Sequence, residues 1–155
     1  MATTEMNYAA VEQAMTITLN GLADNGIRES AFVENTTNKF IDAMVMGVLT
    51  GAAGANGVGY LYAYGSIDGG TKFSGNAGGL DQAFAGTKQN LKWLGSILVP
   101  SAASFEFGPF SVANAFGGVM PHQWGVVLEW VDGGAIALAG SGNSISYRGI
   151  KYDTN

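Results

Sequence analysis

At 155 residues, with one histidine and no cysteine, the chain has the size of one domain and can bury a core without disulfides or a structural metal. Its 7 basic against 12 acidic residues give a formal charge of −5, which argues against nucleic acid as the main partner, and the lack of Cys excludes thiolate zinc sites, iron–sulfur clusters and cysteine nucleophiles. Hydrophobic residues make up 47% and charged ones 12%, about half the charge usual in a soluble domain, so part of the surface is expected to touch other protein.

In chain order, Met1 to Tyr8 has no basic n-region and no apolar run, so no signal peptide is expected. Residues 5–14 carry helix formers but no cap and barely three turns of length, and 1–14 is read as an N-terminal arm. Met15, Ile17 and Leu19 then alternate with Thr16, Thr18 and Asn20, the pattern of a half-buried strand. Asp24-Asn25-Gly26 is a turn by its tolerance of positive φ, residues 28–34 form a second strand, and 35–38 a loop. The apolar stretch 40–49 fits a buried strand or one short helix on periodicity alone and is read as a strand from its neighbours. Broken by Asp42, it is too short to cross a bilayer, so a soluble cytoplasmic product with no membrane contact is expected.

Residues 51–57 read as a hairpin connection leading into the clearest strand, 58–67, with Tyr60, Tyr62 and Tyr64 on one face. Asp68-Gly69-Gly70 closes it with a hairpin signature and a return at 71–74. The polar, Gly-rich excursion 75–90 is long for a loop, so it should hold structure of its own or contact a partner. Strands follow at 91–99, 104–112, 123–131 and 144–151, with a second Asp-Gly-Gly hairpin at 132–134. With 24 glycines and 3 prolines, sharp turns between strands are favoured and a mainly helical chain is not. The expectation is an all-β protein with one jelly-roll-like β-sandwich over 15–155, the alternative being a small β-barrel.

Chemistry-bearing residues are sparse. His122 lacks a Gly-x-Ser-x-Gly partner, and one His without Cys leaves only carboxylates for a metal. Asp68 and Asp132 are explained by their turns. Glu106 and Glu129 are the only candidates for a carboxylate pair across a cleft, and outward-facing strand charges explain them better. The glycine run 51–59 leads into a strand and not a helix, so it is no phosphate loop. Asn35-Thr36-Thr37 matches a glycosylation acceptor. Trp93, Trp124, Trp130 and the tyrosine row could stack on sugars, though such rows are more often core or interface. No catalytic, cofactor-binding or metal-binding residue is assigned, no cofactor is expected, and the chain is read as no enzyme. Met6, Tyr8 and Val11 in the arm, Phe84 in the excursion and Trp130 are the candidate protein-contact residues.

Several segments together carry a resemblance: Leu22-Ala23-Asp24-Asn25-Gly26-Ile27-Arg28-Glu29-Ser30, the Tyr-Ala-Tyr-Gly-Ser-Ile-Asp-Gly-Gly-Thr hairpin at 62–71, Leu94-Gly95-Ser96-Ile97, Phe107 to Ala113, Ala115 to Pro121 and Trp124-Gly125-Val126-Val127. In these the chain resembles small virion proteins of tailed bacteriophages, from residue 20 through Gly149. The resemblance implies a structural virion component assembled in the host bacterial cytoplasm and carries over no catalytic residue. The expected role is a capsid decoration or cement protein bound to the major capsid protein or another virion protein, in homo-oligomeric copies, with a trimer taken from common capsid symmetry. Alternatives are a tail, collar or head-fibre component, or a carbohydrate-binding module.

Overall fold

In the computed structural model, residues 4–101 and 103–154 are described; residues 1–3 of the expected arm and residue 155 lie outside them. Two antiparallel sheets pack face to face, one of them curled strongly into a half-barrel. Sheet A runs β1 (Thr4–Tyr8), β11 (Ser144–Thr154), β5 (Asp42–Thr50), β9 (Ser104–Ser111), with β2 (Gln13–Ala14) also on β11. Sheet B runs β7 (Gln82–Ala83), β3 (Ile27–Glu29), β10 (Gln123–Asp132), β6 (Gly57–Ser66), β8 (Lys92–Val99), with β4 (Val33–Glu34) also on β10. The architecture is an all-β sandwich. The only α-helix among the described residues is one turn, α1 (Val112–Ala115), begun by the Ser111 side chain accepting from the Asn114 N–H at 3.0 Å.

The period of two builds the core. Trp124, Val126, Leu128 and Trp130 point inward from β10, and Leu61 from β6, to meet Val45, Leu49, Ile145 and Tyr147 of sheet A. Trp130 donates its Nε1–H to the Ile136 carbonyl at 2.8 Å, so its polar handle is satisfied inside. Several glycines sit within strands and seat large side chains. A Cβ on Gly57 would stand 2.5 Å from Trp130 Cη2, one on Gly95 would stand 2.6 Å from the Phe110 ring, and one on Gly125 would run into Tyr64. The glycine richness thus serves close packing of aromatic rings as well as turns.

The strands expected at 40–49, 58–67, 91–99, 104–112, 123–131 and 144–151 are present as β5, β6, β8, β9, β10 and β11. Residues 15–19 form no strand although Met15 and Leu19 are buried. Their backbone is taken up elsewhere: Met15 N–H bonds Ile145 O, Thr16 O accepts from Ala31 N–H, and Thr18 N–H goes to the Asp81 carboxylate. The expected strand over 28–34 is split into β3 and β4, which lie on β10 with a gap where Ser30 is fully buried.

Both Asp-Gly-Gly segments turn, but neither makes a hairpin. β6 is flanked by β10 along its whole length and by β8 over Gly57–Ala63, and β10 by β6, β3 and β4, so the chain leaving each turn finds no long edge to return along. Residues 71–74 form no strand, and after Asp132 the chain crosses to sheet A. The connection 51–57 likewise crosses between sheets, from β5 to β6, and is no hairpin. The excursion holds structure of its own: two 3₁₀ turns and β7, with Ala77, Phe84 and Leu91 forming a second apolar cluster over Tyr64 and Val127 on the outer face of sheet B. Glu29, 1% exposed, pins it there by accepting from Gly78 N–H, at 2.9 Å to its nearer oxygen, and from Gln82 Nε2.

Candidate functional site

The N-terminal segment is an edge of sheet A. β1 pairs antiparallel with β11 from Thr4↔Thr154 to Tyr8↔Ile150, and β2 pairs Gln13↔Tyr147 and Ala14↔Ser146. β5 covers β11 only as far as Ile150↔Asp42. Residues 4–7 and 151–154 therefore project past the body as a two-stranded ribbon. Every side chain of β1 is exposed.

Pairing and alternation sort this ribbon into two faces. Met6 lies opposite Tyr152 and Tyr8 opposite Ile150 on one face, while Glu5 lies opposite Asp153 and Asn7 opposite Lys151 on the other. Because Ile145 and Tyr147 point into the core, the Met6, Tyr8 and Tyr152 face is continuous with the outer face of sheet A, where Met44, Met46 and Val48 stand beside Arg148, Ser146 and Ser144. Met6 is 64%, Tyr152 61%, Tyr8 56% and Met46 41% exposed. Three charges on this face, Arg148, Glu12 and Asp42, are engaged with their surroundings, whereas Glu106 beside Val48 is exposed. Arg148 donates from Nε to Ala9 O at 2.7 Å and lies 5.6 Å from the Tyr8 ring centroid, Glu12 accepts from Ser146 Oγ, and Asp42 accepts from Ser111 Oγ at 2.7 Å and Ala113 N–H at 2.8 Å. An open groove of about 530 Å³ runs between the arm and the body, lined by Val11, Asn38, Phe40 and Tyr147 among others.

Of the candidate contact residues, Met6, Tyr8 and Val11 are exposed on this arm. Phe84 and Trp130 are not available to a partner: Phe84 closes the second cluster, and Trp130, fully buried, points inward by the same alternation that places Trp124 and Leu128 in the core. Sequence reasoning missed Met44, Met46 and Tyr152. The Met44/Met46 spacing was legible, but which parity of β5 faces the core depends on its partners.

The remaining chemical candidates are held apart. Glu106 is on the outer face of sheet A and Glu129 on that of sheet B, with the core between them. Glu129 is paired with Lys88 Nζ at 2.6 Å, a bond that raises the Lys88 pKa. His122 is exposed at the start of β10, and its carbonyl accepts from Asn35 N–H. Asn35 is 8% exposed, its side chain bonded in both directions to the Phe40 backbone, so its amide is spent on the loop. Asp68 and Asp132 are held below the usual carboxylate range, Asp68 chiefly by Ser66 Oγ and Asp132 by the Asn56 backbone N–H. Among the described residues no three His, Asp or Glu side chains gather as metal ligands.

On sheet B, Trp93 is 53% exposed, with ring centroids 5.3 Å from Tyr62 and 6.0 Å from Tyr60. Desolvation, then the Glu129 charge, pushes the Tyr62 hydroxyl pKa up. Fold and surface together define an all-β sandwich with exposed apolar side chains, Met6, Tyr8, Met46 and Tyr152, on the outer face of one sheet. Comparisons with protein-family models, with curated proteins and with solved structures gave no match.

Proposed function

We propose that this chain is a non-enzymatic structural protein of a tailed-phage virion, a decoration or cement protein that lays the outer face of sheet A on the major capsid protein. The observation that carries the reading is the run of exposed Met6, Tyr8, Tyr152 and Met46 on one sheet face. Apolar surface of this kind, gathered on one face where Arg148, Glu12 and Asp42 are engaged locally, is what a protein–protein contact buries. The methionines add an unbranched, adaptable surface suited to a partner met in many copies. The phage assignment itself rests on the resemblance of the six sequence segments.

The test is binding of the purified chain to capsids that lack it. Wild type is expected to saturate the shell at hundreds of copies per particle, and Met46→Lys combined with Tyr152→Lys to lose binding while keeping its fold. Equal binding by the double variant refutes the docking face. Tens of copies, confined to the tail or collar, point to that position instead.

A second reading is favoured by the Trp93, Tyr60 and Tyr62 platform. An exposed indole flanked by two half-buried tyrosine rings, beside the hydrogen-bonding pair Lys88 and Glu129, suits stacking on a sugar. A glycan array decides it: a signal lost in Trp93→Ala supports a saccharide site, and silence of the wild type removes it.

A further inference from the structure

The free edge of β1 is a separate feature from the face it carries. Edge strands left flat and unpaired template further pairing, and natural sheets blunt them with Lys, Pro, bulges, short strands or cover. The other edges of this sandwich are blunted. β9 contains Pro109 and meets β5 through a register shift at Val45/Gly47, and its Phe110 ring packs on Gly95 of β8, bringing those two edges together. β8 also begins with Lys92 and has its own shift against β6 at Leu61/Tyr62. β2, β4 and β7 are two residues each. β1 has five residues, no Pro, Gly or Lys, and no bulge in its register with β11. It also belongs to a projecting two-stranded ribbon, an arrangement that is marginal in water without a third strand.

The sequence of this edge is self-complementary. If two copies of Thr4-Glu5-Met6-Asn7-Tyr8 run antiparallel about a two-fold axis at Met6, each Glu5 faces the second copy's Asn7, each Thr4 faces the second copy's Tyr8, and Met6 faces Met6. No like charges stand directly opposite, and the apolar faces of the two ribbons join into one. We propose that β1 pairs with β1 of a second copy of this chain, joining two A sheets into one continuous sheet through an isologous contact. The pairing uses the edge and leaves the outer face of sheet A open, so it does not rest on the virion reading. It requires a two-fold axis, whereas a trimer would need a different contact.

Sedimentation equilibrium on the full chain, up to about 1 mM to capture a weak contact, is expected to show a monomer–dimer equilibrium. Asn7→Glu separates the interface from the fold. Within one copy the new carboxylate faces Lys151, so the monomer is not weakened, whereas in the pair it faces the second copy's Glu5 twice and weakens the dimer about tenfold. Register is read by single thiols in this cysteine-free chain. Met6→Cys is expected to give a disulfide-linked dimer under mild oxidation. Thr4→Cys and Tyr8→Cys, each about 13 Å from its own copy across the axis, are expected to stay unlinked. A wild type that remains monomeric, a trimer, an unchanged Asn7→Glu dimer, or linkage at position 4 or 8 in preference to 6 would each overturn the proposal. Met46→Lys with Tyr152→Lys tests the other surface, so a loss of capsid binding with the dimer intact distinguishes the two.

Discussion

Removing residues 1–14 tests whether the arm is held on the body or is part of it. The truncation deletes five register pairs of β1 and two of β2 on β11, together with the Arg148 bonds to Ala9 and Ala10 carbonyls. Each backbone hydrogen bond contributes about 0.5–1.5 kcal/mol net. Against that, fixing each arm residue costs about 1–2 kcal/mol of backbone entropy, and β1 and β2 bury none of their side chains. The entropy cost at least offsets the bonds, so the truncated chain is expected to lose at most about 2 kcal/mol. For a domain of this size that lowers Tm by under about 8 °C. Trp130→Ala is the internal scale: it empties a fully buried ring site and breaks the bond to Ile136 O, at about 3–5 kcal/mol. Calorimetry of the three proteins compares them directly. If the truncation lowered Tm as much as Trp130→Ala, or the shortened chain did not fold, the reading of the arm as a peripheral docking element would be wrong.

Gly57→Ala is expected to cost about 1–3 kcal/mol, since its Cβ would stand 2.5 Å from the Trp130 ring in a filled core; urea denaturation measures it, and an unchanged midpoint contradicts the seat-for-a-ring role. Glu29→Ala removes the acceptor of the Gly78 N–H, so hydrogen exchange is expected to speed up across residues 75–90 while β6 and β10 keep their protection; uniform exchange throughout would show that Glu29 does not pin the excursion. Bonds from Gln123 Nε2 and from the Thr36 hydroxyl and N–H hold the Glu34 carboxyl down at about 2. Its folded value is therefore depressed, and its contribution is present above the ordinary 4.5 and is lost as pH falls towards 2. Glu34→Gln should flatten that part of the acid-denaturation curve while leaving the curve above pH 5 parallel to wild type; an unaltered slope between pH 4.5 and 2 would remove Glu34 from the transition.

Six strands were legible in the sequence because each carries its own period of two or is closed by glycine turns, as in Tyr60-Leu61-Tyr62-Ala63-Tyr64 and Val126-Val127-Leu128-Glu129-Trp130. These are local properties of the chain. Low charge and the lack of cysteine likewise set the chemistry available before any fold is known.

Partnership was not local. Asp68-Gly69-Gly70 and Asp132-Gly133-Gly134 turn as their residues require, but hairpin or crossover depends on how much edge the strand just left still offers, and β6 and β10 are already paired on both sides along most of their length. Trp130 has the same aromatic character in either orientation, and only the inward parity of β10 made it core instead of surface. For the same reason Met44 and Met46 became the outer face. Residues 5–14 carry helix formers and no cap; what makes β1 and β2 of them is the unpaired edge of β11, a chain segment more than a hundred residues away. Periodicity and turn chemistry act within a few residues, whereas which face is buried and which edge is open are properties of the assembled sheets.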